Sequence, residues 1–339
     1  MINNIYEKIK QFIKENYLSL LFYLVFIVTM TYPLPYYIYT GGGTIDVEDK
    51  IRIEDANDTS GSFNMCYVEQ VNATIPTYLL SKVISSWDLV SKEEVTLNEQ
   101  ENIQDIYKRD KIYLDEANQN AIFVAYHKAG KDTNITDTHQ YIIYIDENSK
   151  TNLKIGDDII EIAGSKIDSI EDITNILSNY NVGDKVIIKV KNKDKVTDKY
   201  ATVIESQGKK MIGIAITTIY DYNTDPNIEF SFSNSESGPS GGLMVTLAIY
   251  NKLVDEDISK GLKIAGTGTI DANGVVGSIG GVKYKLKGAV DEDADIFLVP
   301  NGENYKECIS LQKKYNYNIK IIGVDTFDDA LEKLKNNNF

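Results

Sequence analysis

Residues 231–253 read SFSNSESGPSGGLMVTLAIYNKL, and this stretch decides how the C-terminal half of the chain is read. Gly238, Pro239, Gly241 and Gly242 surround Ser240, and an apolar run follows at once. Glycine and proline punctuate local structure, so 238–242 is a turn. Leu243, Leu247 and Val254 recur on one helical face with Met244 and Ala248 beside them, which predicts a helix. Ser240 thus stands at a helix mouth, and two readings are open. Serine is a favoured helix cap. It is also a nucleophile, and N–H groups at a helix start lack internal acceptors and can stabilise an oxyanion. The glycines would let a substrate approach the backbone closely. A nucleophilic serine needs a base, and the only histidines, His127 and His139, lie far upstream. His127 falls in a helix expected over 115–130, capped by Asp115 and ended by Gly130, and His139 in a polar loop.

Downstream, residues 264–290 read IAGTGTIDANGVVGSIGGVKYKLKGAV: strand, turn, strand, then Gly280-Gly281 and a segment bearing Lys283, Lys285 and Lys287. Burial lowers a lysine pKa, so lysine can serve as the base that histidine usually provides. If the segment is helical, Val282, Leu286, Ala289 and Val290 form its buried stripe and Lys283 and Lys285 flank it on opposite sides. Periodicity therefore does not choose between them. Together the two stretches resemble the proteolytic domain of Lon-type serine proteases over about residues 212–334. The Gly-Pro-Ser-small-Gly motif is matched at 238–242, and Gly-Gly-apolar-Lys-x-Lys at 280–285. The resemblance implies a Ser240–Lys285 dyad, with Thr267 holding the lysine and Gly238, Pro239 and Gly241 supporting the serine and the oxyanion. Ser237 and Gly241 depart from the family, which often has an acidic residue or glycine at the first and alanine at the second.

Upstream, residues 153–195 read LKIGDDIIEIAGSKIDSIEDITNILSNYNVGDKVIIKVKNKDK. The order is strand, Gly156-Asp157 turn, strand, Gly164 turn, helix over 170–179, Gly183-Asp184 turn, strand. Leu153, Lys154, Gly156, Asp157, Ile159, Ile162, Gly164, Ile167 and Asp172 resemble the core of bacterial protease-associated PDZ domains, with coverage of about 120–206. Such domains capture a chain end or segment by adding it to a sheet edge. Where family members have a glycine-containing carboxylate loop, this chain has Thr138-His139-Gln140-Tyr141.

At the other end, residues 16–45 carry no charge, and YLSLLFYLVFIVTMTYPLPYYIY (17–39) is long enough to cross a hydrocarbon core of about 20 residues. Lys8, Lys10 and Lys14 precede it, which places the N-terminus in the cytoplasm and the rest outside. No small-x-small site follows, so the segment reads as an uncleaved anchor rather than a signal peptide. Anchor, PDZ and Lon-type domain in this order resemble the membrane-anchored PDZ–Lon proteases of low-GC Gram-positive bacteria, whose substrates are short peptides or small membrane proteins.

The 339 residues, 42% hydrophobic, allow two or three cores. A net charge of −15 argues against a nucleic-acid partner. Cys66 and Cys308 match no zinc spacing and are expected as unpaired thiols, so neither metal nor cofactor is expected. The sequence holds no Gly-x-x-x-x-Gly-Lys-Ser/Thr, and no ATP is expected. The expected fold is α+β. Its parts are a cytoplasmic N-terminus (1–16), a transmembrane helix (17–40), a scaffold (41–117) that includes a helical stretch over 81–101, a PDZ-like β-rich domain (118–206) and a Lon-type domain (207–339). The expected function is an ATP-independent extracytoplasmic serine endopeptidase acting on peptides or small proteins. The alternative is a non-catalytic PDZ-based binding scaffold at the outer membrane face.

Overall fold

The computed structural model describes residues 2–98, 101–192, 195–233 and 235–336. The chain divides into two compact units. One holds the residues up to Gly41 with Val68–Val95, the other Gly42–Tyr67 with Thr96 onward.

The first unit begins with α1 (Ile2–Thr31), a helix long and apolar enough to cross a membrane. It starts earlier and stops sooner than the expected span of 17–40. Pro33 and Pro35 cannot continue a helix, and β1 (Tyr36–Asp46) begins at once. A 3-10 turn (Glu48–Lys50), β2 (Ile51–Ile53) and the start of β3 (Ser62–Asn72) belong to the second unit, and the first resumes at Val68 in β3 and continues with α2 (Ile75–Ser81), β4 (Asp88–Ser91) and α3 (Lys92–Val95). Of residues 81–101, expected to be helical, those from 81 to 98 are largely not, and 99–100 lie outside the described residues. Residues 88–91 serve instead as the antiparallel partner of Tyr36, Tyr37, Ile38 and Tyr39, and that ladder overrides local preference.

The second unit contains α4 (Ile103–Ala129), capped by the Asn102 side chain, which accepts from the N–H groups of Gln104 and Asp105. The expected cap, Asp115, lies mid-helix, while Gly130 closes the helix in the left-handed region at φ 67°. Then come β5 (Asp132–Ile145), β6 (Asp158–Ile162), β7 (Ser165–Lys166), α5 (Ile170–Ser178), β8 (Lys185–Asn192), β9 (Lys195–Thr202), the hairpin β10 (Ile204–Ser206) and β11 (Lys209–Met211), and β12 (Ile214–Asp225). One sheet runs β12-β5-β6-β8-β9, with β7 paired to β6. Its apolar face and α5 bury Ile142, Ile162, Leu177 and Ile188 in a core of their own. The Gly156-Asp157 turn is locked from inside. Asp157 is fully buried, accepts from the Lys154 N–H at 2.7 Å, and pairs with Lys199 at 2.5 Å. On its outer edge β12 meets α4, where the Gln119 amide donates to the Thr218 carbonyl and accepts from the Tyr220 N–H.

Next, β13 (Ile228–Phe230) pairs with β2. A 3-10 turn (Pro239–Gly241) leads into α6 (Gly242–Leu253), followed by β14 (Lys263–Gly266), β15 (Thr269–Ile270), β16 (Val276–Gly277), α7 (Val282–Asp291), β17 (Ile296–Pro300), α8 (Glu303–Tyr315), β18 (Lys320–Val324) and α9 (Phe327–Asn336). Here β18, β17, β14 and β3 lie side by side in parallel. Strand residues alternate between two faces. Ile296 and Leu298 join Leu243, Leu247 and Phe327 on one side, while Phe297 and Val299 join Val282, Leu286 and Cys308 on the other. Residues 42–67 and α4 are therefore not a linking scaffold. Val47, Phe63, Met65, Ala121 and Ala125 share one core with α6, because β3 supplies a strand beside β14 and α4 a covering helix.

Candidate active site

Thr267 follows the carboxyl end of β14, where the parallel strands of an α/β layer open their usual crevice. Ser240 sits in the 3-10 turn that starts α6, and Lys285 in the first turns of α7. The turn is held from two sides. The Gly238 N–H donates to the Asp110 carbonyl of α4 at 2.9 Å, and the Ser240 carbonyl accepts from the Gly268 N–H at 2.8 Å. Gly238 has φ 89°, a conformation that disfavours a side chain. At Gly241 an added Cβ would lie 2.9 Å from Met65 Sδ, so the methionine fills the space beside the glycine.

Lys285 Nζ lies 2.8 Å from Ser240 Oγ and 3.1 Å from Thr267 Oγ1. Lys285 is 4% exposed and Thr267 fully buried. Burial brings the lysine pKa down to about 8, partly opposed by the neighbouring Cys66 thiol. Burial likewise pushes that thiol up to about 12. Thr267 Oγ1 also lies 3.0 Å from the Ser240 carbonyl, to which it donates. Its single proton is thereby used, and it can only accept from the lysine. An amine N–H must point at Thr267, which leaves the lone pair of neutral Lys285 free to face Ser240 Oγ. A hydroxyl, an amine that sheds its proton near neutrality and an orienting hydroxyl together make a nucleophile–base pair.

The structure thus brings Ser240, Lys285 and Thr267 together and sets Lys283 apart, half-buried with its Nζ over the Tyr284 ring. Ser240 is not a side-chain cap. The cap position of α6 is Gly241, which makes no side-chain cap bond, and the serine hydroxyl meets the lysine instead. Of the residues expected to support an oxyanion, Pro239 has no N–H and Gly238 spends its own on Asp110. The Ser240 N–H lies in the 3-10 turn that leads into α6, where the first N–H groups lack intrahelical acceptors. The places of Asp110, Met65 and Cys66 beside this site escaped the sequence reading. Each lies more than a hundred residues from the motif it touches, and no local pattern marks them. Elsewhere, His139 bonds Asp158 at 2.8 Å. Burial would lower its pKa, but Asp158 and Asp221 together raise it. His127 stacks on Phe123. Cys66 and Cys308 are buried free thiols, and among the described residues no group is arranged to hold a metal.

Residues 233–336 match the family described as the Lon protease (S16) C-terminal proteolytic domain. The C-terminal domain is a Lon-type serine-peptidase domain. The Lon protease of Campylobacter jejuni is 28% identical over 184 residues, covering 52% of this chain and 22% of that protein. The Lon protease of Campylobacter concisus is 34% identical over 97 residues, 29% of this chain and 12% of that protein. Lon protease 2 of Bacillus subtilis is 31% identical over 110 residues, 32% of this chain and 19% of that protein. The chain therefore spans less than a quarter of the length of these relatives. Two solved structures are similar to part of the chain. The PDZ domain of an SdrC-like protein from Listeria monocytogenes is 26% identical, covering 24% of this chain and 92% of that one, with a TM-score of 0.22. The second domain of another Listeria protein is 28% identical, covering 24% and 87%, also with a TM-score of 0.22.

Proposed function

We propose that this chain is an ATP-independent, membrane-anchored serine endopeptidase that cuts peptides or small proteins outside the membrane. The observation that carries the reading is the 2.8 Å contact between Ser240 Oγ and a buried Lys285 Nζ beside the Lon-type helix start. Neutral Lys285 takes the Ser240 proton as Oγ attacks the scissile carbonyl. The tetrahedral oxyanion is met by the Ser240 N–H and the positive end of α6. Lysine then gives its proton to the leaving amine, and an acyl-serine remains. Water, deprotonated by the same lysine, releases the acid and restores the serine. The sequence carries no phosphate-binding loop of the Walker kind, which favours substrates that are short or already unfolded.

Membrane anchoring rests on α1, and orientation on Lys8, Lys10 and Lys14 ahead of it. The PDZ-like domain is assigned substrate selection. Since β12 already lies along β5, a segment added as a strand must use an outer edge of that sheet. Cleavage of a short fluorogenic peptide by the full-length chain in detergent, wild type against Ser240→Ala, tests the chemistry. Cleavage that survives the substitution would remove Ser240 as the nucleophile, and no cleavage by wild type would return the chain to the scaffold reading. Protease added to intact protoplasts tests the topology, and should digest the C-terminal domain. Full protection would place that domain on the cytoplasmic side.

A further inference from the structure

Within the first unit the sequence holds a second stretch almost free of charge. From residue 70 to 87 the only charged side chain is Lys82. The stretch contains α2 and the turn after it, and there the apolar side chains face outward: Leu79 is 61% exposed, Leu80 47% and Val83 82%. Clustered apolar exposure of this kind marks a contact surface. Leu79 and Val83 are four residues apart, and the Lys82 and Val83 N–H groups bond back to the Leu79 and Leu80 carbonyls, so all three side chains share one turn.

The polar groups of the stretch are bonded internally. The Thr77 hydroxyl accepts from the Thr74 N–H at 2.7 Å, and Ser81 Oγ donates to the Tyr78 carbonyl at 2.8 Å. Removing these groups from water is therefore less costly than removing free hydroxyls.

The stretch is also tied to the end of α1. The Leu34 N–H donates to the Ala73 carbonyl at 2.7 Å, and the Ala73 N–H to the Tyr36 carbonyl at 2.9 Å. The Tyr36 and Tyr78 rings lie 5.7 Å apart. The charge-free helical part of α1, residues 16–31, spans about 24 Å at 1.5 Å per residue. A hydrocarbon core is about 30 Å thick. The helix ends before the apolar layer does, and residues 32–35 and the attached α2 fall at the level where it gives out.

We infer that residues 71–87 form a second membrane contact, in which Leu79, Leu80 and Val83 enter the lipid interface beside the end of α1. The inference rests on the reading of α1 as an anchor. The occupant is phospholipid. Lys82, whose Nζ lies 5.0 Å from the Tyr78 ring, keeps its stem in the apolar layer and its ammonium at phosphate level. Trp87, the sole tryptophan, is half-buried at the end of the stretch and suits the same interface.

The test uses the full-length chain in phosphatidylcholine–phosphatidylglycerol vesicles, spin-labelled in turn at Val83→Cys, Phe22→Cys and Lys306→Cys. Unmutated chain shows that the buried Cys66 and Cys308 take no label. Phe22 lies within α1, and the 71% exposed Lys306 side chain reports water. The ratio of oxygen to nickel-chelate accessibility is read at each position. A ratio at Val83 severalfold above that at Lys306, approaching that at Phe22, supports the inference. A Val83 ratio equal to that of Lys306, with Phe22 still in lipid, overturns it and leaves the anchor standing. Nickel access at Phe22 removes the anchor and the inference together. Exclusion of both probes at Val83 with dipolar broadening shows a second copy there instead of lipid, and overturns it as well.

Discussion

Replacing Lys285 by methionine tests the physical basis of the dyad without reference to any substrate. In the folded chain burial draws the lysine pKa from 10.5 to about 8, whereas the unfolded chain returns it to 10.5. Between these values the unfolded state binds more protons than the folded one, so stability rises with pH across that window. Below pH 8 the buried ammonium is carried in full. Two and a half pH units at about 1.4 kcal/mol each make its cost about 3 kcal/mol. Methionine has a similar length and no charge. It forfeits the hydrogen bonds to Ser240 and Thr267, worth about 1 kcal/mol net in total. Lys285→Met is therefore expected to exceed wild type in stability by about 2 kcal/mol at pH 7. Wild type should recover about 3 kcal/mol relative to the variant between pH 8 and 10.5. Other titrating groups are common to both chains and cancel in the difference. Urea unfolding followed by far-ultraviolet circular dichroism, in one detergent from pH 7 to 11, reads it out. Parallel stability curves would show that Lys285 titrates as a solvated lysine and would remove it as a base.

Peptide cleavage by wild type should rise about tenfold from pH 7 to 9 and then level off, since a base with a pKa near 8 is about one-tenth neutral at pH 7; a flat initial-rate profile would contradict this. Ser240→Ala should abolish cleavage and shift the melting temperature by only a few degrees in a thermal scan, because the side chain caps no helix. Thr267→Ser should keep activity, while Thr267→Val should lower kcat at unchanged KM and shift the pH profile, since the valine leaves Lys285 without its acceptor. Lys285→Arg should be inactive in the same peptide assay because arginine holds its proton, whereas Lys283→Ala should retain most of the wild-type rate.

What was legible in the sequence follows the range of the forces involved. The turn at 238–242 and the helix after it are written in glycine, proline and helical apolar spacing, all local. The Gly156-Asp157 turn is equally local, because the carboxylate locks an N–H three residues away. The true start of α4 was not legible. Its cap, Asn102, lies in a polar stretch where several residues would serve, and Asp115 offered a false start nearer the apolar run. Nor could alternation in residues 44–67 reveal that these strands join the core of a domain whose motifs lie two hundred residues on. Parallel pairing of β3 with β14 is set by packing across the fold. The choice between Lys283 and Lys285 has the same character. Both flank the apolar stripe of α7, and only the position of that helix over β14 turns one of them inward.

The Gln119 side chain on α4 has a consequence for how copies of this chain meet. It spans the Thr218 carbonyl and the Tyr220 N–H on the open side of β12, standing in for the peptide of a neighbouring strand. An unguarded strand edge is a template for self-association. An intruding strand would first have to displace an amide that already offers the same donor and acceptor, and so would gain little from the exchange. Replacement of Gln119 by alanine is therefore expected to surface as slow aggregation of the purified chain long before any loss of peptide cleavage.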